Sequence, residues 1–428
     1  MAMPLTANAV QNESTLSDAL LGQLMAVGQV DILVGLPTLD NAATIVDVVR
    51  AIHLSFARDF PRLRTVMINS DGGSTDATPE LVRAASLSDA DMVQTSHSLR
   101  TLHRVVAPYH GLPGKLTALR TIFAAAELTQ AKVLAVVDPN GPSTTAERVA
   151  ELVTPIVRSE VEFLTPRYRR HPRDGLLVTQ LIRPVVRAVY GVGLDEPLGV
   201  EFSCSRRFAS HCLDRDIWNH DVGRFAIDLW LRTEAIANGF SLGQIWRPAA
   251  STGAVRTTLR QTVQQVMLSL FESLRAHESF WRAASGLNEL HTWGTDPRTT
   301  PDPPTWDHVA LAEQARHDLG EIRVLLAGVL EPAVSPQVFD DMMAPTLRLD
   351  DDLWAAIVYA FAAAVRRGST GTEHLAAMFV PLYLWRASAF IASTADDSDA
   401  AVQARLDALC ETFQRLKPLL VGSWTAGE

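Results

Sequence analysis

A carboxylate follows an apolar, β-branched run in the stretch AKVLAVVDPNGPS (131–143). The run has the composition of a buried strand, and Asp138 and Asn140 lie directly after it. Because Mg²⁺ and Mn²⁺ prefer oxygen ligands, Asp138 is a candidate direct ligand and Asn140 a neutral, weaker one. Asp-Pro-Asn-Gly also consists of four turn-forming residues, and by composition alone a simple turn is the better interpretation.

The stretch DGGSTDAT (71–78) and the residue Lys115 offer further groups of the kind that contact nucleotides. The glycine pair permits tight backbone turns, and Asp71 and Asp76 can accept hydrogen bonds from ribose or base groups. An Asx-type turn that leads into a helix is an equally good interpretation. Lys115 lies at a predicted helix start, where an ammonium and backbone amides can face phosphate, although a solvated lysine is the commoner case.

Alternating strand and helix patterns predict how these residues are positioned. DILVGLP (31–37), LRTVMINSD (63–71) and AKVLAVVD (131–138) read as buried strands, and helical patterns follow them. This alternation predicts a mostly parallel sheet with helices on both faces, in which ligands bind outside the carboxyl ends of the strands. The polar residues described above fall at those ends, as do Pro37 and Thr38.

The composition limits the class of protein. The chain has 428 residues, 47% hydrophobic and 20% charged, which predicts a folded globular protein of two or three domains. Its net charge of −10 argues against binding to nucleic acid or to an anionic membrane. The apolar runs are shorter than the roughly 20 residues that a membrane-spanning helix needs, so no membrane span is expected. Three cysteines without a paired pattern, and no signal-peptide pattern, predict a cytoplasmic protein.

Changes of pattern along the chain predict its domains. The polar N-terminus contains one possible helix and is interpreted as an appended arm, whereas the pattern after about residue 257 is helical almost throughout. An Ala-rich helical domain with Trp and Phe residues is compatible with a homodimer. The predicted parts are an arm (1–30), an α/β domain (31–256) with a donor part (about 31–142) and an acceptor part (about 160–250), and a helical C-terminal domain (257–428).

The order of several motifs resembles the nucleotide-sugar domain of GT-A glycosyltransferases. These motifs are GLPTLDNAATI (35–45), NSDGGSTDAT (69–78), PGKLTAL (113–119) and VVDPN (136–140). Later segments are similar to the mannosylglycerate synthase and glucosyl-3-phosphoglycerate synthase group of retaining enzymes, namely TPRYRRHPRDG (165–175), EPLGVEFSCSRR (196–207) and RFAIDLWLRTEAIANGFSLGQ (224–244). The resemblance covers about residues 31–390. It implies a GT-A, Rossmann-like fold and transfer of a hexose from a UDP- or GDP-sugar to a small polar acceptor such as glycerate.

The resemblance implies a donor site. The residues that match its donor-binding positions are Pro37, Thr38, Asp40, Asp71, Lys115 and Asp138. Asp138 matches the first carboxylate of a metal-binding Asp-x-Asp, so the implied cofactor is Mg²⁺ or Mn²⁺, with Asn140 in the second position.

The resemblance also implies an acceptor site. Arg167 matches an arginine that would pair with a glycerate carboxylate, and Asp174 and Thr179 belong to the same region. Glu201 and Asp228 match the catalytic positions, where they would position the acceptor hydroxyl rather than attack the sugar. In a retaining transfer of this kind the hydroxyl can attack from the leaving-group side. Without the resemblance, surface or helix-end roles are the better interpretations of Arg167, Glu201 and Asp228.

Several positions depart from the pattern of that group. Asn140 replaces the second carboxylate, and WRPAASTGAVRTT (246–258) lacks the histidine that the group uses as a metal ligand. Other departures are Leu176 and Leu177, which disfavour a phosphorylated acceptor, Val178 in place of a threonine, and Val200 in the PLGG turn. The alternative hypothesis is therefore a diverged, non-catalytic protein that binds a nucleotide-sugar or assembles through its helical domain.

Overall fold

The structure is a computed structural model that describes Leu16 and residues 18–85, 92–96, 115–141, 144–219, 221–248, 259–298, 300–330 and 349–425. The strands are β1 (Ile32–Thr38), β2 (Thr65–Asp71), β3 (Met92–Ser96), β4 (Val133–Val136), β5 (Phe163–Arg169), β6 (Val192–Gly193), β7 (Phe202–Ser205), β8 (Leu242–Pro248), β9 (Asn288–Glu289) and β10 (Thr292–Trp293). The helices are α1 (Asp18–Val27), α2 (Ile45–Asp59), α3 (Thr78–Ala85), α4 (Lys115–Leu128), α5 (Ala146–Val157), α6 (Arg183–Tyr190), α7 (Arg206–Leu213), α8 (Asp221–Ala237), α9 (Leu259–Ala276), α10 (Glu278–Ala283), α11 (His308–Leu330), α12 (Asp351–Arg367), α13 (Thr372–Ser393) and α14 (Asp399–Thr425).

One mostly parallel sheet organises the N-terminal half. Within the described residues its order is β10-β8-β5-β7-β4-β1-β2-β3. β1 pairs in parallel with β2 and β4, whereas β7 runs antiparallel to β4 and β5. The predicted mostly parallel sheet is confirmed, and the carboxyl ends of β1, β2 and β4 meet at one edge.

Helices cover both faces of the sheet, as side-chain alternation along β1 requires. Ile32, Val34 and Leu36 pack in one core with α2 and α5, whereas Leu33 packs in a second core with α4 and α7. Gly35 allows α4 to approach closely, because a Cβ at this position would lie 2.5 Å from Ile122 Cγ2. The lack of a side chain here therefore sets how near α4 lies to β1.

The N-terminal segment contributes to the second of these cores. Leu16, Leu20 and Leu24 are buried against the sheet, so α1 is packed on the domain that we expected it to precede as an arm. All three cysteines are buried and free.

The C-terminal helices form a third core that also includes earlier segments. The chain after Asp174 forms one turn of π-helix (Val178–Ile182) that continues into α6, with Pro184 in the first turn of α6. The buried residues of α6 pack with those of α9 and α11–α14. α13 is long and apolar enough to cross a membrane, but 89% of its most apolar window is buried inside the protein, where it is a core helix.

Candidate functional site

The carboxyl ends of β1 and β2 are joined by side-chain hydrogen bonds. Thr38 is in register with Asp71, and Thr38 Oγ1 lies 3.0 Å from both Asn69 Oδ1 and Asp71 Oδ1. The Gly72 amide donates to the Thr38 carbonyl at 2.7 Å. Pro37 is buried within β1, one residue before this junction. These bonds hold the two strand ends, and the loops that leave them, in one fixed arrangement.

Asp71 shapes the loop that follows β2. Its Oδ2 accepts from the amides of Gly73 and Ser74 at 3.0 and 2.9 Å, and its Oδ1 accepts from Ser74 Oγ at 2.6 Å. Gly73 has a φ of 94°, a left-handed conformation that favours glycine. The Asx-type turn expected for this stretch is therefore present, and both oxygens of Asp71 are engaged by its own loop.

Asp40 ties the β1 loop to the β2 loop. Its Oδ1 accepts from the Thr75 amide at 2.7 Å, and its own amide donates to Ser74 Oγ at 2.9 Å. Asp40 adopts a φ of 52°, a conformation that aspartate tolerates better than most residues. Asp76 caps the start of α3 by accepting from the Thr78 amide and hydroxyl. The two loops therefore form one rigid rim.

Asp138 and Asn140 lie beside that rim, beyond the end of β4. Asp138 Oδ1 accepts from the Asn140 amide at 2.9 Å, and Asn140 Oδ1 accepts from Asn41 Nδ2 at 2.6 Å. Burial raises the pKa of the Asp138 carboxyl and the charge of Glu201 raises it further, whereas the Asn140 amide and Lys115 act in the opposite direction. A cation at this position would offset the cost of the buried charge.

The site has a sparse donor set for a metal. Among the described residues no group of three or more His, Cys, Asp and Glu side chains is placed to hold an ion. The side-chain oxygen through which Asn140 would bind already accepts the Asn41 hydrogen bond. Of the two predicted ligands, Asp138 therefore supplies the only charge, and a metal here would depend on oxygens from a bound ligand.

Lys115 and Asp228, predicted for the donor and the acceptor site respectively, form one buried ion pair. Lys115 Nζ lies 2.6 Å from Asp228 Oδ2, and the two side chains are 6% and 0% exposed. The interpretation of Lys115 as a solvated lysine is therefore wrong. Asp228 Oδ1 is buried and accepts no hydrogen bond from the residues that the structure describes. The ion pair therefore engages one carboxylate oxygen and leaves the other buried without a partner among those residues.

Arg232, which the sequence-based assignment missed, holds the turn that carries Glu201. Its buried guanidinium donates to the carbonyls of Gly199 and Asp228 at 2.7 and 2.9 Å, and to Thr165 Oγ1 at 2.9 Å. A charge inside the apolar helical run IDLWLRTEAI was the available signal. Glu201 itself pairs with Arg247 at 2.5 Å.

The predicted acceptor residues divide into two groups. Arg167 and Thr179 line a cavity of about 510 Å³. Asp174 does not line this cavity. It lies 3.5 Å from Arg170 and accepts a hydrogen bond from the Gly175 amide, so it stabilises the loop after β5. Glu201 and Asp228 are outside the cavity lining.

Tyr168 is another residue at this cavity that was missed from the sequence. It lines the cavity, and its pKa is raised by burial and by the charges of Glu201, Asp138 and Glu196. Tyr168 pairs in register with Arg247, whose guanidinium bonds Glu201, so the strand that lines the cavity lies next to the strand that holds Glu201. Its position in the run RYRRHPR gave no sequence signal beyond that of the neighbouring arginines.

Comparisons with known proteins find likeness in structure alone. No protein-family model matches the chain, and no curated protein does. Solved structures of glucosyl-3-phosphoglycerate synthase from Mycobacterium tuberculosis are similar, one in complex with Mn²⁺, UDP and phosphoglyceric acid. That structure has 21% identity and a TM-score of 0.41 over 59% of this chain and 82% of its own.

Two other similar structures have the same TM-score. A second structure of that synthase has 21% identity over 59% of this chain and 84% of its own, with a TM-score of 0.41. A structure described as a mycobacterial protein has 20% identity over 64% of this chain and 80% of its own, also with a TM-score of 0.41. The α/β fold of this chain is shown by its own sheet order and by the helices that cover both faces of the sheet.

Proposed function

We propose that this chain is a glycosyltransferase that moves a hexose from a UDP- or GDP-sugar to a small polar acceptor, with retention of configuration. The main support is the contact between Lys115 and Asp228, which lie 113 positions apart and match a donor-binding and an acceptor-binding position of the same family. A structural ion pair would explain the contact itself. It would not explain why the charge of Lys115 also acts on Asp138, where it opposes the burial that raises the pKa of that carboxyl.

The reaction needs no nucleophile from the protein. The bond between the anomeric carbon and the diphosphate oxygen breaks, and its electron pair leaves with the nucleoside diphosphate. The acceptor oxygen bonds to the same face of the sugar, and its proton passes to the departing diphosphate oxygen. Lys115 supplies positive charge near the developing negative charge, and Asp228 and Glu201 position the acceptor hydroxyl.

A divalent metal would have Asp138 as its protein ligand, with Asn140 contributing weakly. When bound, Mg²⁺ or Mn²⁺ would supply charge that stabilises the leaving diphosphate. The cytoplasmic location and the homodimer predicted from composition stay predictions.

A second candidate is a non-catalytic protein that binds a nucleotide-sugar. The observation in its favour is the state of the two predicted metal ligands. Asn41 donates a hydrogen bond to Asn140, and the raised pKa of Asp138 favours the neutral form of its carboxyl. In this case the donor edge would bind nucleotide without activating it.

Calorimetry and a transfer assay separate these candidates. UDP-glucose and GDP-mannose are each titrated into the full chain with and without Mn²⁺, and release of nucleoside diphosphate is then followed with a panel of acceptors. Binding with transfer of labelled hexose supports the enzyme, and binding without turnover supports the second candidate. If neither nucleotide-sugar binds, both are wrong.

A further inference from the structure

The cavity beside Tyr168 is built from both halves of the protein. β5 and the loop after it contribute Arg167 and Tyr168, β8 contributes Trp246, and α14 contributes Gln403 and Asp407. Its volume of about 510 Å³ lies within the ~300–1,000 Å³ typical of small-molecule sites and exceeds what a three-carbon acid needs. The C-terminal helix therefore forms part of the wall of the predicted acceptor site.

Every arginine that lines this cavity already has a carboxylate partner. Arg167 Nε lies 2.9 Å from Asp195, whose other oxygen is 3.1 Å from Arg183 Nε. The remaining pairs are Arg170 with Glu196, Arg183 with Asp407, Arg187 with Glu289, and Arg169 with Asp296. An anionic acceptor would be repelled by these carboxylates and would compete with them for the guanidinium groups, which lowers the net affinity gained from each new ion pair.

The same pairs suit hydroxyl groups. An arginine beside a carboxylate presents N–H donors and oxygen acceptors together, and each sugar hydroxyl can both donate and accept. Asp407 Oδ1 accepts from Arg183 at 3.2 Å and from Gln403 at 3.1 Å, and the Asp407 side chain is still 53% exposed. Arg167 and Arg170 lie over the rings of Trp246 and Tyr168, at 4.4 and 4.8 Å from the ring centroids, so a sugar could pack only against the opposite face of either ring.

We propose that the cavity binds a neutral, polyhydroxylated acceptor, a sugar or sugar-like polyol, and that Asp407 on α14 accepts a hydrogen bond from one of its hydroxyls. The transfer step rests on the proposed function, whereas the binding step does not. In the transfer, a hydroxyl of the bound sugar forms the new bond to the anomeric carbon and the nucleoside diphosphate leaves. The product is a neutral glycoside rather than a glycosylated acid.

Acceptor binding is tested on the full chain by saturation-transfer NMR and calorimetry, without any nucleotide. The probes are D-glucose and maltose as neutral sugars, and D-glycerate and 3-phosphoglycerate as anions. We expect saturable binding of a neutral sugar, weakened about tenfold by Asp407→Ala, which removes a hydrogen bond to a charged group. Asp352→Ala, which removes a similarly exposed carboxylate from a surface pair with Arg415, is the control and should leave affinity unchanged.

The outcomes decide the proposal separately from the proposed function. Tighter binding of either anion than of the sugars, no binding of either sugar, or equal sugar affinity in the Asp407→Ala variant would overturn it. If a sugar binds as expected but hexose is transferred to no acceptor, the acceptor class stands and the proposed function fails. If hexose is transferred to glycerate and not to glucose or maltose, the proposed function stands and this inference fails.

Discussion

Asp138 shows the tension between stability and function at the scale of single residues. Burial and the charge of Glu201 raise the pKa of its carboxyl. The hydrogen bond from the Asn140 amide and the charge of Lys115 act in the opposite direction and offset only part of this effect. Such an unfavourable charge is typical of residues kept for binding. The sequence indicated the position of Asp138 after a buried strand, but only the fold showed that Asn41 engages its neighbour Asn140.

Replacing Asp138 by Asn should stabilise the protein at neutral pH. Because the folded-state pKa is raised above 3.8, the folded state holds this proton more tightly than the unfolded state. The stabilising effect is full below pH 4 and is lost as pH rises through the raised pKa. Asp138→Asn avoids that loss, so its melting temperature should exceed that of the wild type by roughly 1–3 °C at pH 7 and match it near pH 3. Thermal scans across pH measure this, and a lower melting temperature at pH 7 would contradict it.

Replacing Asn140 by Asp should strengthen Mn²⁺-dependent nucleotide binding, by about tenfold. A carboxylate oxygen can still accept the Asn41 hydrogen bond while it adds a charge next to Asp138. Calorimetry with UDP-glucose, in Mn²⁺ and in EDTA, provides the measurement. Asn140→Ala is the matched control, and an affinity for the nucleotide that is equal in all three proteins would mean that no metal binds at this strand end.

The Lys115–Asp228 pair should be strongly coupled. Lys115→Met leaves a buried, uncompensated carboxylate and should cost about 3–5 kcal/mol of unfolding free energy. The double variant Lys115→Met/Asp228→Asn removes both charges and should recover most of that loss, yet stay inactive in transfer. Urea denaturation of the two single variants and the double variant gives the coupling energy. Additive effects would indicate that the two groups do not interact as an ion pair.

At the scale of elements, the segment after β5 shows what local patterns miss. The basic run was recognised as a loop, but one of its arginines, Arg173, binds the junction between α13 and α14, more than 220 positions later. Arg173 donates to the carbonyls of Thr394 and Asp397, at 2.5 and 2.6 Å, and lies 3.3 Å from Asp399. Hydrophobic periodicity indicates which face of an element is buried. It contains no information on which distant carbonyl a guanidinium will reach. The loop after β5 could therefore be predicted from the sequence, but the contacts that hold it against the α13–α14 junction could not.

Replacing Arg173 by Ala should weaken acceptor use more than donor binding. The change removes three hydrogen bonds from a side chain that is 16% exposed and should lower stability by about 1–3 kcal/mol. We expect a raised KM for the acceptor and an unchanged Kd for the nucleotide-sugar. Arg169→Ala, at the last residue of β5 and 45% exposed, should alter stability by less than about 0.5 kcal/mol. Equal destabilisation by both substitutions would argue against a supporting role for Arg173.

At the scale of the whole molecule, the helical half is not separable from the sheet. The strand and helix patterns predicted an α/β part followed by helices, and both are present. A division near residue 257 could be read from composition because helical patterns dominate beyond it. The core that α6 shares with the C-terminal helices could not be predicted from composition. The buried residues of α6 have the same apolar character whether they pack on the sheet or on α12 and α13.

Gln180 joins the two halves and allows a test of their cooperativity. Its carbonyl accepts from Trp354 Nε1 at 2.7 Å, and its Oε1 accepts from the buried Arg386 at 2.8 Å. Because these contacts link the π-helical turn to α12 and α13, we expect one calorimetric unfolding transition for the described domains rather than two.

Replacing Gln180 by Ala should shift that single transition rather than divide it. The substitution leaves a buried guanidinium with one acceptor fewer, which should cost about 1–3 kcal/mol. Gln314→Ala, at an exposed position on α11, is the control and should leave the melting temperature unchanged. Two transitions in the wild type, or a Gln180→Ala variant in which only one of two transitions moves, would mean that the sheet and the helices unfold independently. A single shifted transition would instead mean that the sheet and the helices unfold together. The part of the cavity that α14 lines would then persist as long as the whole protein stays folded.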